Sequence, residues 1–214
     1  MPRMPSRIGL IATFVGIGLT GCFSLGRNPP IQRQYVLGGS PVPAAATSPG
    51  KLTDKSVGVR RLQLAPYLAT PFILVRRGSN QITSSEFHRW AEDLDAGIPR
   101  ALGGYLRALA PFRSVAVAPW PLQEKFDYLI QLRVLHFEGV APEEPATVGG
   151  EVQVLAAWEI IDPRDGAVLA RGTTDYRQPG WRVDDFAGLV KLLDTGLSEL
   201  ARDLVTSLEK LITE

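Results

Sequence analysis

The side chains best suited to acid–base or metal chemistry are few in this sequence of 214 residues. Its two histidines, His88 and His136, have no second ligand at the spacing of a metal site, and an isolated histidine is more often a core or surface residue than a catalyst. The acidic pairs Glu92-Asp93 and Glu143-Glu144 are adjacent in sequence, so a solvated helix or loop explains them without a shared substrate. We therefore expect no metal and no cofactor.

Phosphate-binding and nucleophile motifs are equally scarce. Residues 16–21 fit the G-x-G-x-x-G dinucleotide fingerprint letter for letter, but that motif works only between a strand and a helix whose N-terminus meets the pyrophosphate. Here it lies in an apolar N-terminal segment that we expect to be removed. The sequence has no G-x-S-x-G elbow and no P-loop. We therefore do not expect this chain to be an enzyme, although residues far apart in sequence could assemble an active site that the spacing of motifs does not reveal.

Cys22 is the only cysteine, and it follows an apolar run over residues 8–19 that two arginines precede. That run is shorter than the roughly 20 residues of a membrane-spanning helix and matches a secretory signal. Leu19-Thr20-Gly21-Cys22 resembles the bacterial lipobox, in which a peptidase cuts before the cysteine and its thiol carries a diacylglycerol. We expect a lipoprotein signal peptide at residues 1–21 and a lipid anchor on Cys22. The alternative is an ordinary signal peptide with an incidental cysteine, or a buried thiol.

Charge and composition limit the class of partner and the number of domains. The chain has 23 Lys and Arg against 22 Asp and Glu, and no basic patch dominates, so nucleic acid is not an expected partner. Hydrophobic residues make up 45% of the chain, which suits one domain with a sizeable core. With a single cysteine there is no intrachain disulfide, so stability must come from packing.

Residues 22–55 are rich in Pro, Gly, Ala, Ser and Thr, which indicates a flexible, lipid-anchored tether. Tyr35-Val36-Leu37 is a short extended segment within it. This segment belongs either to the tether or to an edge strand of the folded domain. The domain itself is predicted over residues 56–214.

Alternating apolar residues predict several strands after residue 56. The turn Arg77–Asn80 predicts one hairpin, and Asp162–Gly166 predicts a longer one. The predicted strands are Val57–Val59, Phe72–Val75, Gln81–Thr83, Val115–Val117, Phe126–Val140, Val152–Ile161 and Ala167–Tyr176.

Apolar residues spaced by three and four predict two helices. The first would begin after a cap at Ser84 or Ser85, continue to Leu109, and be kinked or interrupted at Pro99. The second spans residues 186–211, with Asp184 and Asp185 at its positive end. Its apolar stripe would pack on the sheet or form a partner surface.

The order of elements predicts an α+β fold: a mixed, mostly antiparallel sheet with two main helices packed on one face. Three residues are candidate contacts for a partner. Trp181 and Arg182 lie on a turn after Pro179-Gly180, where Trp181 is either an interface anchor or a hydrophobic staple on the helix start. Trp90 is expected on the apolar face of the first helix, and it would be a partner contact only if its ring were exposed.

The segment Val57–Leu106 resembles the opening half of the ABC-type transport auxiliary lipoprotein family. The resemblance rests on Pro66-Tyr67-Leu68 before Pro71, the basic strand end Arg76-Arg77, and Arg89-Trp90-Ala91-Glu92. Further along, the stretch FDYLIQLRVLHFEG, the hairpin that begins EVQVLAAWEI and the leucine-striped last helix follow the order of the family. With the lipobox and the tyrosine segment at Tyr35, the resemblance covers essentially the whole chain.

The resemblance implies a lipoprotein that faces the periplasm. We expect it to be anchored in the outer membrane, because Phe23 follows Cys22 where lipoproteins retained at the inner membrane usually have Asp. The resemblance also implies work with an ABC transporter and its mammalian-cell-entry (MCE) protein in moving lipid between the two membranes, with membrane contact through the lipid anchor and possible homo-oligomers. No catalytic residue and no nucleotide site are implied, because ATP hydrolysis would belong to a separate ATPase. The alternative is a structural or assembly lipoprotein of the envelope that acts independently of transport.

Overall fold

The computed structural model describes residues 31–39, 50–121, 123–143 and 149–213, which form nine strands, two long helices and a 3-10 turn at Pro66–Leu68. In chain order the elements are β1 (Arg33–Tyr35), β2 (Ser56–Val59), β3 (Gln63–Leu64), β4 (Phe72–Arg77), β5 (Gln81–Trp90), α1 (Leu94–Leu109), β6 (Ser114–Val117), β7 (Tyr128–Ala141), β8 (Gly150–Ile161), β9 (Val168–Trp181) and α2 (Phe186–Leu211).

Strand β7 organises the sheet. One of its edges pairs antiparallel with β8, and β8 pairs antiparallel with β9. Along its other edge, successive parts of β7 pair with the three shorter strands β2, β3 and β4, which all run parallel to it. The sheet continues through β2 to β6, and through β4 to β5 and β1. The long antiparallel pairings hold most of the paired residues, so the predicted mixed, mostly antiparallel sheet is confirmed.

Both helices cover the same face of the sheet, as predicted. Alternate residues of β7 and β8 point to that face and are buried, because strand side chains alternate between faces. The apolar stripe of α2 packs on these strands, which favours the core role of that stripe over a partner surface. Each fully buried leucine in it contributes about 1.5–3 kcal/mol to stability. The fully buried members are Leu189, Leu193, Leu197, Leu200, Leu204 and Leu208.

The first helix is shorter than predicted. The cap at Ser84 or Ser85 is wrong, since Gln81–Trp90 forms strand β5 and the helix begins only at Leu94, after Asp93. Pairing with β4 on one side and β1 on the other determines the conformation of this segment. The helix then continues through Pro99 to Leu109.

The segment around Tyr35 is an edge strand, which is one of the two alternatives open from the sequence. Arg33–Tyr35 pairs parallel with His88–Trp90, and Leu37 is buried in the core. The backbone N–H of Gly38 donates to Oδ1 of Asp194 on α2 at 2.8 Å. The compact folded unit therefore spans Ile31–Glu214 and begins well before residue 56.

Candidate functional site

The sequence-predicted site residues lie in different places. Cys22 is outside the described residues. Trp90 belongs to strand β5 and not to the first helix, so its predicted position is corrected. Its ring is buried, and its centroid lies 5.9 Å from that of Phe137. A partner therefore cannot reach the Trp90 ring in this conformation.

Trp181 ends strand β9 and is 2% exposed. Its indole Nε1–H donates to the carbonyl oxygen of Asp185, the residue that caps α2, at 2.9 Å. The ring occupies the space where a Cβ of Gly139 or Gly150 would lie. Trp181 thus connects the sheet to the start of α2, in agreement with its interpretation as a staple on the helix start. Its neighbour Arg182 is exposed.

A buried ionic cluster, which sequence reasoning missed, lies on the sheet face opposite the helices, here called the outer face. Its centre is Glu138 of β7, whose side chain is fully buried. Arg76 of β4 donates to Oε1 of Glu138 from Nε at 2.9 Å and from Nη2 at 2.6 Å. The hydroxyl of Tyr67 donates to Oε2 at 2.7 Å, and Nδ1 of His136 lies 3.0 Å from Oε1.

Electrostatics keep this cluster charged. Burial alone would raise the pKa of Glu138, but hydrogen bonds from His136, the Phe137 N–H, Tyr67 and Arg76 outweigh it and hold that pKa below its usual range. Partial burial alone would lower the pKa of Arg76, but the hydrogen bond and the charge of the Glu138 carboxylate outweigh it and raise that pKa. Burial, and then the adjacent carboxylate, raise the pKa of the Tyr67 hydroxyl.

A β-bulge explains why these groups meet. The pairing of β7 with β8 shifts between Val134 and His136, so Leu135 is an extra residue. As a result Val134 and Phe137 both face the core, while His136 and Glu138 share the outer face. The carbonyl oxygen of Leu135 lies 2.9 Å from the Tyr67 hydroxyl. Both oxygens of Glu138 have hydrogen-bond partners within the chain, so the cluster is suited to fixing local geometry more than to turning over a substrate.

Tyr67 and Arg76, nine residues apart, lie 71 and 62 residues before Glu138 in the sequence. No spacing rule brings Tyr67, Arg76 and Glu138 together. One signal was nevertheless available. Glu138 interrupts the apolar stretch of β7, and a carboxylate in such a strand needs a cation or several donors if it is buried.

His88, the other histidine, lies in a stack of rings. Its imidazole lies between Tyr35 of β1, at 5.9 Å between centroids, and Phe186 of α2, at 4.3 Å. Burial and the nearby Arg33 lower its pKa, which favours the neutral imidazole. His88 therefore joins the edge strand to the second helix.

The outer face also carries a groove of about 350 Å³ across β7, β8 and β9. Polar and apolar groups share its lining, and the apolar residues are Leu132, Ala157 and Trp158. Tyr67 and Leu135 add exposed apolar surface to the same face, each 36% exposed. The polar lining residues are Gln63, Gln131, Arg133, Glu159, Arg171 and Thr173.

Within the described ranges, no group of three or more His, Cys, Asp or Glu side chains is arranged to hold a metal ion. Over the same residues, neither helix combines the length and the apolar character needed to cross a membrane.

Two solved structures share this fold. A protein of Xanthomonas campestris aligns with a TM-score of 0.66 at 15% identity, over 81% of this chain and 92% of its own. An uncharacterised protein aligns with a TM-score of 0.62 at 17% identity, over 83% of this chain and 99% of its own. At these identities the likeness shows the fold alone. No curated protein matches the chain.

The family comparison goes further than the fold. The family model of the ABC-type transport auxiliary lipoprotein component matches residues 35–205, from strand β1 to the last turns of α2. The matched range contains Tyr67, Arg76 and Glu138 and also the buried Trp90 and Trp181. This chain therefore belongs to the ABC-type transport auxiliary lipoprotein family.

Proposed function

We propose that this chain is an outer-membrane-anchored periplasmic lipoprotein that docks to the MCE protein of an ABC transport system and helps lipid move between the inner and outer membranes. The observation that carries the proposal is the family match over residues 35–205, nearly the whole folded unit. The lipobox at Cys22 supports the anchor. The residue after it is Phe23 and not the Asp typical of retention at the inner membrane, which supports outer-membrane residence.

The internal chemistry of the domain suits docking. The buried charges of Glu138 and Arg76 neutralise each other within the chain, and the domain has near-neutral overall charge. ATP hydrolysis in this proposal belongs to the transporter's ATPase. This subunit contributes a rigid surface held at the membrane.

Within the proposal, the docking surface is the outer face of the sheet, together with Arg182. The helix-covered face is filled by the core, and Trp90 and Trp181 are buried. The outer face offers exposed Leu135 and Tyr67 beside a groove with both polar and apolar lining, a mixture typical of protein interfaces. The Glu138 cluster fixes the backbone at Leu135, so binding would lose little conformational entropy there.

Cross-linking in intact envelopes tests the proposal. The lipidated protein, with an affinity tag at its C-terminus, should capture an MCE protein that mass spectrometry identifies. Leu135→Asp should reduce this capture at least tenfold, while Leu169→Asp, a similarly exposed leucine on β9, should leave it unchanged. An MCE protein absent from the cross-linked material would favour the assembly lipoprotein instead.

A further inference from the structure

The groove across β7, β8 and β9 has a small side chain among longer ones. Ala157 of β8 pairs with Arg133 of β7 on one side and with Thr173 of β9 on the other. Along β8, Glu159 is the next residue on the same face, because strand side chains alternate between faces. A methyl group surrounded by longer side chains leaves a depression. The groove volume of about 350 Å³ lies within the range of small-molecule sites.

The charged groups that line this groove are not neutralised by one another. Glu159 of β8 and Arg171 of β9 are directly opposite in the register. Nevertheless, no hydrogen bond or ion pair joins either side chain to another residue in the part of the chain that the structure describes. Nε of Arg133 donates to Oε1 of Gln63 at 3.0 Å, and this neutral partner leaves the positive charge uncompensated. The groove therefore presents two cations and one anion to a ligand.

The sheet geometry places the two cations on opposite sides of Ala157. Two strand spacings of about 4.8 Å and a two-residue step of about 7 Å separate Arg133 from Arg171, so their backbones lie roughly 12 Å apart. Guanidinium groups bind phosphate oxygens through paired, charge-assisted hydrogen bonds. The carboxylate of Glu159, opposite Arg171, complements a positive group attached to that phosphate. The complementary ligand is therefore a zwitterion.

We propose that this groove binds a group that carries a phosphate and an ammonium a few ångströms apart, the chemistry shared by a phosphoethanolamine headgroup and free phosphoethanolamine. Arg133 and Arg171 hold the phosphate, and Glu159 holds the ammonium. A phosphate without an amine is repelled by Glu159, and an amine without a phosphate is repelled by the two arginines. The inference goes beyond docking and depends neither on the lipid anchor nor on an MCE protein.

Phosphorus NMR of the ligand tests this site with the full chain purified in dodecyl maltoside. Glycerophosphoethanolamine represents the lipid headgroup, phosphoethanolamine the free metabolite, and inorganic phosphate the anion without an amine. At least one zwitterion should show saturable line broadening and bind roughly fivefold or more tightly than inorganic phosphate. The zwitterion that binds more tightly identifies the source of the group. Inorganic phosphate bound as tightly as both zwitterions, or no binding of either zwitterion, overturns the proposal.

Two variants and a control connect binding to the groove. Arg171→Gln should weaken binding of the zwitterion roughly fivefold or more. Arg177→Gln should leave it unchanged, because this arginine of the same strand lies outside the groove lining and pairs with Asp175. Glu159→Gln should remove the preference for the zwitterion over inorganic phosphate, which a loss of folding would not do selectively. Unchanged binding in Arg171→Gln, or a preference that persists in Glu159→Gln, overturns the proposal.

Discussion

At the scale of single residues, Glu138 is the most consequential side chain in the domain. Its fully buried carboxylate is compensated by Arg76 and by hydrogen bonds from Tyr67 and the Phe137 N–H. A buried ion pair adds little net stability relative to an apolar pair, but removing one partner leaves the other charge buried without compensation. The cluster therefore makes the fold depend on each of its members.

Glu138→Gln should lower the free energy of unfolding at neutral pH by about 3 kcal/mol, because Arg76 loses its counter-charge. This loss of stability is measured by denaturant unfolding, followed by circular dichroism. Glu159→Gln, on the same outer face, is the matched control and should change stability by less than about 0.5 kcal/mol. Equal stability of the two variants would contradict the proposed importance of the cluster.

The pH dependence of stability has a defined sign. The folded-state pKa of Glu138 lies below its unfolded value of about 4.3, so its stabilisation is fully present above that pH. It is lost as the pH falls through the lower, folded-state pKa. Wild type should therefore lose stability more steeply below about pH 4 than Glu138→Gln. Parallel curves of unfolding free energy against pH would show that the carboxylate is not held ionised by the fold.

Trp181→Ala should lower the free energy of unfolding by about 3–5 kcal/mol, because the ring is buried between Gly139 and Gly150 and its N–H bonds to Asp185. Affinity for the MCE protein, measured per folded molecule, should stay unchanged. A loss of affinity of about thirtyfold with full stability would instead make Trp181 an interface anchor.

At the scale of elements, the sequence predicted structure best where pairing is local. The β8–β9 hairpin and helix α2 are confirmed, because the turn Asp162–Gly166 and the leucine spacing are signals within one segment. The predicted strand Gln81–Thr83 is confirmed as the start of β5, but the rest of β5 was assigned to a helix because Phe87 and Trp90 continue the three-and-four spacing of α1. Its strand conformation depends on β4 and β1, and that information is not local to the segment.

The same distinction holds for the candidate site. Trp181 was found because a tryptophan after Pro179-Gly180 is a local feature, although sequence alone could not choose between anchor and staple. The cluster of Tyr67, Arg76 and Glu138 was not found, since parallel pairing of β4 with β7 and the bulge at Leu135 create it. Such long-range geometry has no signature in the spacing of residues.

Two glycines test how closely the elements pack. A Cβ at Gly196 of α2 would lie 2.7 Å from Cγ2 of Val154 and 2.8 Å from the Tyr176 ring, so Gly196→Ala should cost about 1–3 kcal/mol. Gly104 of α1 has no atom within 4 Å of its Cβ position, so Gly104→Ala should stabilise by about 0.5–1 kcal/mol. Thermal unfolding should show a lower melting temperature for Gly196→Ala and a higher one for Gly104→Ala. A stabilising Gly196→Ala would contradict the close contact of α2 with the sheet.

At the scale of the whole molecule, the proposed lipid anchor at Cys22 precedes the folded unit Ile31–Glu214 along the chain. We therefore expect the stability of the folded unit not to depend on the thiol. Cys22→Ser should therefore abolish fatty-acid labelling and membrane association while leaving the melting temperature unchanged. Metabolic labelling of the variant at the wild-type level would contradict lipidation at Cys22.

Membrane fractionation addresses the location of the whole molecule. The lipidated chain should band with the outer membrane in a density gradient, because Phe23 follows the cysteine. Phe23→Asp should shift it toward the inner membrane, and Phe23→Ser is the matched control. Wild-type protein in the inner-membrane band would contradict the proposed residence.

Recruitment of a purified MCE protein to vesicles that carry the lipidated chain tests the central claim most directly. We predict saturable binding in a flotation assay, weakened at least tenfold by Leu135→Asp on the outer face and unchanged by Leu169→Asp on β9. An MCE protein that stays in the soluble fraction at every concentration, with wild-type chain fully folded on the vesicles, would contradict the assignment of this lipoprotein as a docking subunit.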